Sequence, residues 1–217
     1  DEKINLITRK LLILIGMYSE KREELIRSLK RRGYLESSLV TEAFRNVPRE
    51  LFIPERLQSE AYADNPLPIG QGQTISAPSM IAIMLEVLEL DKGQKILEIG
   101  TGSGYNAALL AEIVGEKGKV YTIERLKSVA ETGRKNLEGV GYSNVEVIVA
   151  DGTKGYSEEA PWDRVLVTAC APEVPEALID QLSIGGRLAA PVGDYYMSQT
   201  LLVVEKVSDE ETKTEEH

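Results

Sequence analysis

The sequence predicts an α/β fold, a mostly parallel twisted sheet flanked by helices, with a helical segment ahead of it. Three observations predict it. Downstream of Pro78, short β-branched runs alternate with stretches of helical period, the pattern of strands joined by crossover helices. One such run, Lys95–Ile99, passes directly into glycines at 100, 102 and 104 and then into another helical stretch. The length, 217 residues, suits a single core, burying about 70% of the unfolded chain's surface.

Taken in order, Leu11–Tyr18 (LLILIGMY) is an apolar run behind Arg9 and Lys10. Asp1 and Glu2 acidify the start, and no small-x-small site follows the run, so a secretory signal is not expected. Residues 1–18 are read as an extension. Ser19 to Gly33 reads as a helix with a serine cap, an apolar face of Leu25, Ile26 and Leu29, and a terminal glycine. Ser37 and Ser38 cap a second helix carrying Leu39, Val40, Ala43, Phe44 and Val47, closed by Pro48. Residues 54–78 hold Pro, Gly and Asn with little periodicity, a length for which a loop is either functional or disordered. Residues 19–78 thus form a helical and loop segment, and 79–206 the α/β core. Within the core, helices are expected at 79–90, from about 105, near 126–137 and near 173–182, and strands at 95–99, 119–123, 145–149, 164–169, 187–192 and 200–206. Residues 207–217 are acidic and polar, and are expected to fray.

Twenty-five basic against 35 acidic residues give a net charge of −10, which repels polyanions and excludes nucleic acid as an expected partner. No apolar run approaches the roughly 20 residues that span a bilayer, so no membrane association is expected. One cysteine, Cys170, and one histidine, His217, make neither an internal disulfide nor a zinc site. A reducing, cytoplasmic compartment, a monomer and no metal are expected. Cys170 reads as a small packed thiol, His217 as a tail residue, Tyr105 as either a helix start or a ligand contact, and Asp163 as a loop cap.

The most informative stretch is ILEIGTGSGYN, residues 96–106. Glycine lets backbone approach a ligand closely, and the following helix offers free N–H groups. A dinucleotide fingerprint spaces its glycines G-x-G-x-x-G; here the third arrives one residue early, behind Glu98. Glu124 ends the next strand, where a carboxylate accepts ribose hydroxyls, and Asp151-Gly152 ends the one after, where a base would lie. Each alone could be a turn or cap residue. Together, on one sheet edge, they predict a nucleotide-type cofactor.

The E-x-G-x-G-x-G form resembles motif I of class I S-adenosylmethionine methyltransferases. That resemblance implies a Rossmann-like fold and places Glu98, Gly100, Thr101, Gly102, Ser103, Gly104, Glu124, Asp151 and Gly152 around S-adenosyl-L-methionine, with S-adenosyl-L-homocysteine as product. Residues 61–88, with GQTISAP at 72–78, resemble the region before motif I in protein-L-isoaspartate O-methyltransferases. The likeness continues through TIER (122–125), ADG (150–152), residues 171–193 and Gln199, about 180 residues in all. It departs at residues 1–18, at Ser79 where relatives often carry histidine, and after Lys206, where the family's usual last-strand ending is missing.

The resemblance implies methyl transfer to the α-carboxylate of L-isoaspartyl residues in damaged proteins and peptides, with D-aspartyl residues as a further possible target, in a repair role. It adds Gln199 to the cofactor set and makes Ser76 the active-site residue, assisted by Thr74. The chemistry suits this: a carboxylate is already an anion at neutral pH, so orientation and exclusion of water replace a general base. Ser76 could equally cap the helix begun by Pro78. A methyltransferase for RNA or a small molecule is the competing reading. It predicts a basic groove or an Asn/Asp-Pro-Pro-Tyr tetrad, and neither appears.

Overall fold

The structure, a computed structural model, describes residues 2–169, 171–194 and 199–217, with side chains from Ile15 onward. Two helices come first, α1 (Glu2–Arg31) and α2 (Ser38–Asn46). A hairpin, β1 (Leu67–Gly70) and β2 (Gln73–Ile75), leads into α3 (Pro78–Val87). The alternating part follows as β3 (Lys95–Ile99), α4 (Tyr105–Val114), β4 (Lys119–Glu124), α5 (Lys127–Val140) and β5 (Val145–Val149). It continues through β6 (Trp162–Val167), α6 (Glu176–Asp180), β7 (Leu182–Gly193), β8 (Gln199–Lys206) and β9 (Thr212–Glu216).

The main sheet has the order β5-β4-β3-β6-β7-β8-β9. β3 to β7 pair in parallel, and β8 and β9 are antiparallel to their neighbours. Strand order reverses between β3 and β6, so a crevice opens beyond their carboxyl ends, where open α/β sheets bind ligands. Successive residues of a strand face opposite sides, and both sides of the sheet are covered. Ile96 and Leu166 join the core beneath α2, α3 and α4, while Leu97, Val165 and Val167 join the one around Trp162 and Leu178.

Local chemistry explains the boundaries. The Ser37 hydroxyl accepts from the Val40 N–H at the start of α2, and the Glu86 carboxylate accepts from the Glu36 and Ser37 N–H groups. α3 begins with proline at its first turn, which has no N–H to leave unsatisfied. Its N-cap is Ala77, which has no side-chain cap bond; Asp64, 15 residues upstream, accepts from the Ser79 N–H instead and pairs with Arg32.

Three expectations need correction. The helix expected to start at Ser19 is part of one 30-residue helix, α1. Ser19 does not cap it: its hydroxyl donates to the Gly16 carbonyl one turn back, an option serine has inside a helix. The helix near 173–182 contracts to α6, and β7 starts five residues before Arg187. The acidic end does not fray over its whole length, because β9 pairs with β8 from Lys206↔Thr212 to Leu202↔Glu216.

Candidate active site

The glycine loop leaves β3 at the reversal point. Gly100 has φ +104°, and a β-carbon there would lie 2.3 Å from the Thr168 hydroxyl. That hydroxyl donates to the Ile99 and Gly100 carbonyls, stitching the end of β6 to the loop. Gly104 is the N-cap of α4 with φ +87°, and its missing β-carbon makes room for the Gly133 carbonyl and Leu137 of α5 at 3.0 Å. Two of the three glycines are therefore demanded by the protein's own packing as well as by any ligand. The Asn136 side chain donates to the Ser103 carbonyl and fixes the loop to α5.

A cleft of about 330 Å³ lies over the strand ends, within the usual range for ligand sites. Gly100, Gly102, Glu124, Asp151 and Gly152 line it, with Ile99, Val167 and Leu178 as apolar walls. Glu124 is nearly buried; it accepts from the Gly102 and Leu126 N–H groups, leaving lone pairs for further donors. Asp151 accepts from the Thr153 hydroxyl and N–H, and these bonds hold its carboxyl below the usual range. Gly152 packs where a β-carbon would strike Ile99 at 2.4 Å.

A second cavity, of about 40 Å³, holds Ser76, Thr101, Ser103, Tyr105 and Asn106. Gly100 and Thr168 line both spaces, so they share a wall. The Ser76 hydroxyl makes no hydrogen bond among the described residues, and its carbonyl accepts from Arg49 Nη2 at 2.8 Å. Behind this cavity a buried chain of contacts runs from Thr101 to Thr122 to Glu98, at 2.8 and 2.6 Å. Burial pushes the Glu98 carboxyl up to about 8, against the opposing effect of the Thr122 hydrogen bond.

The structure thus brings Gly100, Gly102, Glu124, Asp151 and Gly152 to one cleft, and Ser76, Thr101 and Ser103 to the adjoining cavity. Gly104 turns the chain into α4. Like Gly104, three further expected residues line neither space: Glu98 is fully buried, Thr74 is exposed on β2, and Gln199 is exposed at the start of β8. Cys170 lies outside the described residues. Tyr105 is buried, with its ring against Phe52, and Asp163 accepts from the Lys95 N–H. Sequence reading missed Thr168, Asn106, Gln73 and Arg49. Thr168 lies within the strand expected at 164–169 and Asn106 closes the glycine stretch 96–106, but no pattern marks a lone polar residue as facing a cavity.

A mostly parallel sheet with a glycine loop at its reversal point, and carboxylates on the next two strand ends, is the arrangement of class I methyltransferases, whose methyl donor is S-adenosylmethionine. A family model described as protein-L-isoaspartate(D-aspartate) O-methyltransferase matches residues 20–217. The protein-L-isoaspartate O-methyltransferase of Methanopyrus kandleri is 52% identical over 93% of this chain and 89% of its own length. A solved protein-L-isoaspartate O-methyltransferase gives a TM-score of 0.77 at 37% identity over 85% of this chain, which spans 60% of that longer chain. A structure from Plasmodium falciparum, of a proposed member of the same family with S-adenosyl-L-homocysteine, gives 0.79 at 27% identity, covering 90% of this chain and 94% of that one. The chain belongs to the protein-L-isoaspartate(D-aspartate) O-methyltransferase family.

Proposed function

We propose that the protein methylates the α-carboxylate of L-isoaspartyl residues in damaged proteins and peptides, as the first step of their repair. The shared wall of cleft and cavity, Gly100 and Thr168, carries this reading: it sets a methyl donor and an acceptor group side by side. The cleft fits S-adenosylmethionine in size and donor set. Glu124 would hold its ribose, Asp151 and Gly152 its base, and the Gly100–Gly104 backbone its amino-acid portion. Bound there, it supplies an electrophilic methyl group.

The chain's own residues then do the rest. Ser76, with its hydroxyl free, orients the acceptor carboxylate, and Thr74 on the adjoining strand steers the approaching peptide. Gln199 contributes at the cleft's rim. Glu98 acts one layer back, through Thr122 and Thr101. No side chain has to remove a proton, because the acceptor is ionised at neutral pH. The β1–β2 hairpin brings Ile69 to 3.5 Å from the β-carbon position of Gly102, and this cover excludes water from the reacting atoms. On this reading, residues 19–78 serve the substrate and 79–206 the cofactor.

We also place the protein in the cytoplasm as a monomer, without nucleic-acid or membrane partners. The supports are its charge of −10, its lone cysteine, and the finding that, among the described residues, no helix is long and apolar enough to cross a membrane. The test is methyl incorporation from labelled S-adenosylmethionine into two peptides differing only in isoaspartate or aspartate. Strong preference for isoaspartate is expected. Equal labelling, or labelling of RNA alone, overturns the proposal.

A further inference from the structure

Arg49 follows α2 in a short turn and is fully buried, 0% exposed. Nη2 donates to the Ser76 carbonyl, while Nε and Nη1 have no partner among the described residues. Its guanidinium lies 5.1 Å from the centre of the Tyr105 ring. The carboxylates nearby are committed elsewhere: Glu50 pairs with Arg22 and accepts from the Tyr62 hydroxyl, and Asp64 pairs with Arg32 and caps α3. A guanidinium stays charged in proteins, and an uncompensated buried charge is costly. The two residues it touches, Ser76 and Tyr105, both line the small cavity. A second orphan, Asn106 Oδ1, belongs to the same cavity lining.

We infer that Arg49 is a positioning residue whose missing counter-charge is the substrate's carboxylate, and that it makes the Ser76 cavity select an anion over a neutral group of equal shape. It acts through Ser76, by holding that carbonyl, and through its field across the Tyr105 wall. A cavity of about 40 Å³, where one water takes about 10–15 Å³ of such space, admits a carboxylate and a carboxamide of equal shape alike. Charge therefore discriminates where size cannot. This inference rests on the proposed isoaspartyl activity.

The test measures binding of two peptides to the enzyme saturated with S-adenosylhomocysteine: an isoaspartyl peptide and its α-carboxamide counterpart. The parent should prefer the carboxylate by about 100-fold, the scale expected when a buried charge gains its partner. Arg49→Met should narrow that preference to about tenfold or less and raise KM for peptide more than it lowers kcat, with cofactor affinity little changed. Arg49→Lys, which keeps the charge, should keep most of the preference.

If the parent fails to methylate isoaspartyl peptide, the activity itself is wrong, whatever Arg49 does. If the parent methylates it yet binds both peptides equally, the inference on Arg49 falls without any variant. It falls too if folded Arg49→Met keeps the parent's preference, which is the result a purely structural arginine predicts. Should Arg49→Met not fold, loss of the preference in folded Arg49→Lys overturns it.

Discussion

Ser76 has two competing duties by sequence, helix cap and active-site hydroxyl, and the structure separates them. The cap position is Ala77 and the capping carboxylate is Asp64, so Ser76→Ala removes no cap. Its melting temperature should stay close to the parent's, while turnover on isoaspartyl peptide falls about 10²–10³-fold, the cost of losing one positioned donor. A thermal melt beside an initial-rate assay checks both halves. Glu98 offers a pH test. Its carboxyl titrates near 8 when folded and near 4.5 as its ordinary value, so between those values the folded state binds the extra proton. Stability contributed by this group is full below about pH 4.5 and is lost as pH rises to about 8. Glu98→Gln should therefore gain stability relative to the parent across that window in denaturant titrations. An unchanged difference from pH 5 to 8 rejects the buried, protonated carboxyl. The surroundings of Glu98 were not legible in the chain. Glu98 was read as a cofactor contact because it belongs to the glycine motif, and only the strand's two-sided burial turns it inward.

At the scale of elements, the glycine loop and α5 are built against each other. A β-carbon at Gly133 would meet the Thr101 side chain at 2.7 Å and the Gly102 carbonyl at 3.0 Å. Overpacking of this kind typically costs about 1–3 kcal/mol, and here the strain falls on the loop. Gly133→Ala should lower both the melting temperature and the affinity for S-adenosylmethionine, the latter measured by calorimetry well below the melt. Cofactor affinity equal to the parent's shows that the loop does not depend on α5. The strands of this region were legible because buried parallel strands read as continuous apolar runs, as in KILEI and KVYTI. Gly133 was not. A glycine inside a helix has no periodic signature, and its reason lies on another element.

For the whole molecule, the sequence supports the order of strands and helices from Pro78 through Lys206, but neither the β1–β2 hairpin, read as loop, nor the ends. β9 carries the residues TKTEE, all exposed, so no apolar alternation announces it; only its backbone ladder to β8 holds it. Its charges also blunt the sheet's outer edge against further pairing. α1 was split at Ser19 because a serine beside an apolar-to-polar change imitates a cap. The site's second half was legible only in outline, since Thr74 and Ser76 come from one segment resemblance and Gln199 from its later continuation, while Arg49 sits 27 residues before Ser76. The clasp of Arg32, Asp64 and the Ser79 N–H ties together both ends of the segment that carries the β1–β2 hairpin. In mechanical terms these are two fixed pivots with a stay slung between them. Leu67 and Ile75 anchor the hairpin in the core, so the stretch that presents Ser76 is pinned at both ends and along its length, and α3 keeps its register.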